Sequence, residues 1–310
     1  MVLDASGMTA ICHYCGNRFV LDHQDTDYYL DFFARMNSFF ASAKSDQERK
    51  QKAEALWERA ESKVFVTSDG TPIEIKYMYK YSEKDAEVYV ARRNIIFHFT
   101  ENGAGKTDLL RRNSSLLDYP SADVRNLSDF FPRISGGFVL DDGSHLCVLS
   151  KDEDEYPLRL FGKLSGRHVA WIISRLENLC CVLEFSALVH PQITPDTVYI
   201  NPYTHQASLY GNWWNVVKFN TYSPEYRDMM QSKHNLLGIR NTAISLLGCE
   251  NKNQLDLIDI PKPFKEFLKS NPCITAYDDF AYWDDMMIKA YGERKFVTME
   301  TDDEDIYKKG

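Results

Sequence analysis

The sequence predicts an α+β chain in which a small strand-rich unit precedes a larger, mostly helical one. Three observations carry that expectation. Short runs of β-branched and aromatic residues, VFVTSDGTPIEIKYMYKYS and AEVYVARRNIIFHF, follow Lys63, with Asp69–Gly70 as a turn signal. One helical stretch around TDLLRRNSSLL and two more strand runs in FPRISGGFVLDDGSHLCVLSK, turning at Asp142–Gly143, complete the first unit. From HVAWIISRLENLCCVLEFSALV onward the apolar spacing is helical, and further helices are expected at 233–248, 262–269 and 277–291.

Each remaining segment has a reading of its own. In the first block, ICHYCGNRFVLD, Cys12 and Cys15 form a C-x-x-C-G turn that can aim two sulfurs at one point. A tetrahedral zinc site needs four ligands, so the pair reads as a zinc-knuckle-like segment over 1–24 whose other ligands are not evident. Asp25 or Thr26 can cap a following helix, with Leu30, Phe33, Asn37 and Phe40 near one stripe. Residues 25–62 therefore read as a helical linker. The acidic stretch ETDDEDIYKKG, placed at 300–310, reads as a solvated tail.

Composition limits the function classes. Hydrophobic residues make up 44% and charged residues 26%, which suits a globular chain. A net charge of −9 argues against broad phosphate-backbone binding, so nucleic acid is not an expected partner. Arg92, Arg93, Arg111 and Arg112 could still form a local basic patch. No apolar run reaches the length of a membrane span, and MVLDASGMTAICHYC lacks the pattern of a secretory signal. With seven cysteines, mostly inside apolar runs, the expected compartment is the reducing cytoplasm.

One motif misleads. TENGAGKT keeps the glycine, lysine and threonine of a phosphate-binding loop, but Thr100 replaces its leading glycine. The strand-rich surroundings also lack a parallel βαβ core. The stretch reads instead as a glycine-rich turn with a helix starting at Thr107.

The order of elements, checked residue by residue, resembles the protein-kinase-like superfamily over about 63–297. The catalytic-loop pattern H-R-D-L-x-x-x-N is similar to His190-Pro191-Gln192-Ile193-Thr194-Pro195-Asp196-Thr197. CVLSKDEDEYPLRLF is similar to the last strand and hinge of the small lobe. FGKLSGRHVAWIISRLENL is similar to the helices that follow the hinge. The resemblance implies a two-lobed fold, with an N-lobe at 63–160 and a C-lobe at 161–299.

It also implies which chemistry has been lost. The base and metal-binding amide positions hold Gln192 and Thr197, and the metal-binding D-F-G motif is matched by Leu209-Tyr210-Gly211. The strand lysine position holds Arg93 or His98, depending on register, and TDLLRRNSSLL contains no glutamate. Tyr210, Trp213 and Trp214 are candidates to fill the former cleft. His190 is expected to hold the loop rather than to react, and Asp196 to cap or brace it.

The leading expectation is a catalytically inactive, pseudokinase-like scaffold or regulatory module with a protein partner. An atypical nucleotide-dependent transferase is the alternative from the enzyme class. A zinc-assisted assembly or nucleic-acid-associated module centred on Cys12 and Cys15 is a third. Zinc is the cofactor to look for; ATP with magnesium is not expected.

Overall fold

A computed structural model describes residues 2–3, 9–11, 18–20, 46–219, 224–292, 297–299 and 301–307. Cys12, Cys15 and most of the expected linker lie outside the described residues. Three short antiparallel strands, β1 (Val2–Leu3), β2 (Thr9–Ile11) and β3 (Arg18–Val20), precede helix α1 (Asp46–Glu58).

The first lobe grows from strand alternation. Strands β4 (Glu61–Val66) and β5 (Pro72–Tyr77) form an antiparallel hairpin. Its turn holds Gly70 at φ 86, a conformation that disfavours any Cβ. A five-stranded antiparallel sheet follows, built from β6 (Tyr79–Glu83), β7 (Ala86–Val90), β8 (Asn94–Phe99), β9 (Ile134–Val139) and β10 (His145–Ser150). Its spatial order is β6-β7-β8-β10-β9. Helix α2 (Gly103–Ser115) and a 3-10 turn at Ala122–Phe130 connect β8 to β9.

Period two assigns the two faces of this sheet. Ile95, Phe97 and Phe99 of β8 join the main core, whereas Ile96 joins a smaller cluster with Phe65 and Ile75 of the hairpin. His98 belongs to that outer side, where its Nε2 meets Ser144 Oγ at 2.9 Å and its ring meets Phe65.

The connector Lys151–Tyr156 leads into β11 (Tyr156–Pro157). Helix α3 (Gly166–Phe185), N-capped by Ser165, is buried on most of its circumference, as expected for a helix apolar nearly all round. Three short strand pairings shape the loops that follow it. They use β12 (Leu188–Val189), β13 (Val198–Asn201), β14 (Gln206–Leu209) and β15 (Val217–Lys218). Helices α4 (Pro224–Leu246), α5 (Lys262–Lys269) and α6 (Ala276–Tyr291) complete the lobe. The fold is the two-lobed α+β arrangement that the kinase-like resemblance implies. No helix among the described residues is long and apolar enough to cross a membrane.

Several local expectations need correction. Helix α2 begins at Gly103 rather than Thr107, so Gly105 and Lys106 lie inside it; Asn102, left-handed at φ 48, makes the entry. The described part of the acidic segment is not simply a solvated tail: α7 (Asp303–Tyr307) buries Ile306 against the main core, while Glu304 and Asp305 stay exposed. Asp303 accepts from Tyr156 Oη at 2.8 Å, and Asp302 pairs with Lys52 of α1. The four arginines do not form one cationic patch. Arg92 and Arg93 are tied to Glu153, and Arg111 to Asp108.

Both extensions therefore bear on the connector between the lobes. Arg49 of α1 makes a two-pronged contact with Asp154 and stacks over Tyr203, while Arg92 also reaches Glu54 of α1. Beneath them Lys151 Nζ donates to the carbonyls of Arg92 and Asp152 at 2.8 and 2.9 Å. Burial lowers that ammonium to about 8.

A buried ion pair joins helices of the second lobe. Arg240 of α4 donates from Nη1 and Nη2 to both carboxylate oxygens of Asp279 on α6, at 2.7 and 2.8 Å. Removing one partner strands the other charge away from water. Asp279→Ala is expected to cost about 3–5 kcal/mol in urea unfolding, whereas Asp285→Ala, on the same helix, should stay within about 0.5 kcal/mol.

Candidate functional site

The loop between β12 and β13 is organised by His190, which is fully buried. Its backbone N–H donates to Asn235 Oδ1 at 2.9 Å. Its Nε2–H donates to the Gly211 carbonyl at 2.9 Å, and Nδ1 accepts from the Gln192 N–H at 3.2 Å. Both ring nitrogens are thus committed to backbone groups. Burial lowers the imidazole to about 4, so it is neutral at ordinary pH.

Gln192 and Thr197 are committed in the same way. The exposed Gln192 accepts from Asn212 Nδ2 through Oε1 at 2.9 Å. Thr197 Oγ1 donates to the Gln192 carbonyl at 2.8 Å and accepts from the Thr194 N–H at 3.0 Å. Its own carbonyl accepts from the N–H groups of Tyr210 and Gly211. Asp196 is half-exposed and paired with Arg159 at 3.1 Å.

The Leu209-Tyr210-Gly211 segment is brought against this loop. Leu209 is fully buried, and its carbonyl accepts from Trp213 Nε1 at 2.8 Å. Tyr210 Oη donates to Glu155 Oε2 at 2.9 Å, and Ser208 Oγ bonds the other oxygen of that buried carboxylate. Burial raises the Glu155 carboxyl. Gly211 has no room for a side chain: a Cβ would stand 2.7 Å from Glu83 Oε1 and 2.8 Å from Thr197 Cα.

The tryptophan pair connects this segment to the first lobe. Trp213 packs edge-on against Phe131 and His190, and Trp214 against Phe97 and Phe99. These contacts settle the β8 register. Phe97 and Phe99 face the second lobe, His98 faces away and Arg93 lies in the turn before the strand. Neither residue expected at the lysine position reaches the cleft. Helix α2 is instead tied by Asn113, whose Nδ2 donates to the carbonyls of Trp213 and Val216, both at 2.9 Å.

Three further residues span the lobes and have no counterpart in the sequence reading. Tyr81 of β6 donates its hydroxyl to the Asp196 carbonyl at 3.0 Å and accepts from Tyr199 Oη at 3.0 Å. Glu83, two residues on, lies on the Gly211 backbone. The alternation Tyr81, Glu83 in a strand that curls toward the other lobe was the available signal.

Among the described residues no group of three or more His, Cys, Asp or Glu could hold a metal. The described cysteines are free thiols, with Cys147, Cys180, Cys181 and Cys249 buried.

The Asn113 anchor is testable. Asn113→Ala leaves two buried carbonyls short of a donor, and each such loss costs about 1–3 kcal/mol. Thermal unfolding should therefore shift downward clearly, whereas Ser115→Ala, with its exposed local bond to the Arg112 carbonyl, should leave it unchanged.

No family model matches the chain, and no curated protein matches it. Among solved structures it is similar to vaccinia related kinase 3, with 12% identity and a TM-score of 0.47 over 77% of this chain and 95% of that one. It is also similar to the ROP18 kinase domain in complex with AMP-PNP and sucrose, with 13% identity and a TM-score of 0.46 over 83% of this chain and 91% of that one.

Proposed function

We propose that this kinase-like chain has lost phosphoryl transfer and acts by binding a protein partner, as a scaffold or regulatory module. The observation that carries the reading is the chemical character of the cleft floor. Phosphoryl transfer needs a carboxylate base, metal ligands and cations that gather around the phosphates. Here Gln192 stands at the base position, Leu209 at a metal position, and the Thr197 hydroxyl is spent within its own loop.

The charge of the floor supports the same reading. Of the side chains set against it, Glu83 and Asp196 are acids, Asp196 is neutralised by Arg159, and the cleft-facing side of β8 offers phenyl rings. These residues do not fit a magnesium ion, whose octahedral shell asks for well-placed oxygen donors. Trp213, Trp214 and the Tyr81–Tyr199 pair pack between the lobes, which supports a closed seam rather than an open nucleotide site.

A binding role leaves the folded surface as the working part and needs no catalytic constellation. Zinc at Cys12 and Cys15 would add an assembly element to that surface. Metal analysis of the purified protein and of the double variant Cys12→Ser/Cys15→Ser checks that element: zinc in the first and none in the second is expected.

For the main reading, incubation with magnesium and labelled ATP is expected to give no phosphate transfer to the protein or to added substrates. ATP should also leave the melting temperature unchanged. A saturable thermal shift together with labelled product would overturn the proposal. Mass spectrometry of the same samples would reveal a nucleotidyl adduct and so favour transferase chemistry.

A further inference from the structure

Glu83 is a carboxyl that the bonding between the lobes leaves without a partner. It ends β6, immediately before the exposed Lys84–Asp85 turn, in which Asp85 takes φ 70. Its side chain nevertheless points inward. The residue is 9% exposed, and neither carboxylate oxygen has a hydrogen-bond partner. The Asn212 backbone N–H faces it outside good hydrogen-bond geometry. The approach to Gly211 and Thr197 puts the carboxyl directly on the backbone of the other lobe.

Apart from the Asn212 N–H, the groups around it do not favour an ionised carboxylate. Its own strand contributes Tyr81, and β13 contributes Tyr199. The loop contributes the Asp196 carboxylate, which is already paired with Arg159. Lys84 is exposed in the turn. The charge that acts on Glu83 is therefore negative. A neutral carboxyl can rest there at small cost, but an ionised one is both desolvated and repelled.

The hairpin tip has a way out. It is a tight turn exposed to water, and the Tyr81 hydroxyl holds its strand to the second lobe. We propose that Glu83 is a proton-dependent latch: the neutral carboxyl lets the β6–β7 tip lie on Gly211 and Thr197, and ionisation lifts the tip and opens the cleft.

The sign follows from linkage. Burial, followed by Asp196, pushes the Glu83 carboxyl well above its ordinary 4.5. With the tip lifted into water, the carboxyl ionises near that ordinary value. The closed form thus holds an extra proton between the two values. Closure is complete below the lower one and is lost as pH rises through the higher one, by up to about tenfold in the closing equilibrium per pH unit.

Hydrogen exchange of the full chain between pH 5 and 9, corrected for intrinsic exchange, tests the latch at residues 79–90 and 190–197. In the wild type these segments should lose protection with rising pH while α3 keeps its own. Glu83→Gln, which keeps the shape and removes the titration, should show flat protection. Asp196→Asn removes the repelling charge, so the closed form tolerates an ionised Glu83 better and protection should persist to higher pH; opening at lower pH in this variant would count against the latch. Flat wild-type protection, or a pH-dependent loss that persists in Glu83→Gln, overturns the proposal. The latch rests on the closed cleft of the proposed function and not on the lack of catalysis. ATP turnover would defeat that reading while leaving the exchange result to judge the latch.

Discussion

The bond between His190 and the Gly211 carbonyl is the contact on which the centre of the molecule depends. It joins the loop after β12 to the segment after β14, and it needs a neutral imidazole with its proton on Nε2. The second nitrogen accepts from Gln192, which sets the start of the loop, and Thr197 closes its far end by bonding back to Gln192 and Thr194. Once Gly211 is fixed, Trp213 and Trp214 have only a short length of chain in which to turn. One ring meets the 190s loop and the other meets the sheet. Asn113 then reads the carbonyls this turn presents and locks α2 over it. Each step is a backbone group finding a partner, as burial requires.

This chain of bonds explains how the loop after β12 and the segment after β14 hold one another in place. The side chains of His190 and Thr197 are turned onto the backbone, where they satisfy buried donors and acceptors. Thr197 is an example: its hydroxyl serves as a bracket inside a tight turn, a task that a short branched alcohol performs well. The seam between the sheet and the second lobe is filled by phenyl and indole rings, which gain area burial and edge-to-face contacts. Acidic groups remain, and they have opposite fates. Glu155 is satisfied by Ser208, Tyr210 and the Asp152 N–H, while Glu83 is left with none.

Much of the fold was legible because it rests on periodicity. The strand runs, the turns at Asp69–Gly70 and Asp142–Gly143, and the apolar helix beginning near His168 all announce themselves in local composition. The loop between β12 and β13 was legible too, since His190, Pro195 and the strand after them are close in sequence. What could not be read depends on which face of an element meets a distant one. The register of β8 is an example: only the position of Trp214 assigns Phe97 and Phe99 to the cleft and His98 to the outside. The fate of the acidic end is another. DDEDIY reads as solvated until Tyr156 and Lys52 are brought to it from more than a hundred residues away. Asn113 gave no signal, because an asparagine in a helix reveals nothing about the carbonyls it will meet.

The connector between the lobes shows why the cleft and the chain's outlying helices form one mechanical problem. Two lobes joined by a single strand of chain would be free to hinge, yet here Arg49 and Lys52 of α1 and Asp302 and Asp303 beside α7 grip the connector and its neighbours. Most of these contacts are partly exposed ion pairs, each worth little alone in water. Their joint effect is directional: they oppose rotation about the connector, while the Tyr81 hydroxyl bonds oppose separation at the opposite rim of the cleft. A hinge braced at its back transmits motion to its front edge. The β6–β7 tip lies beyond both sets of contacts, and Glu83 at its base is a buried carboxyl with no hydrogen-bond partner.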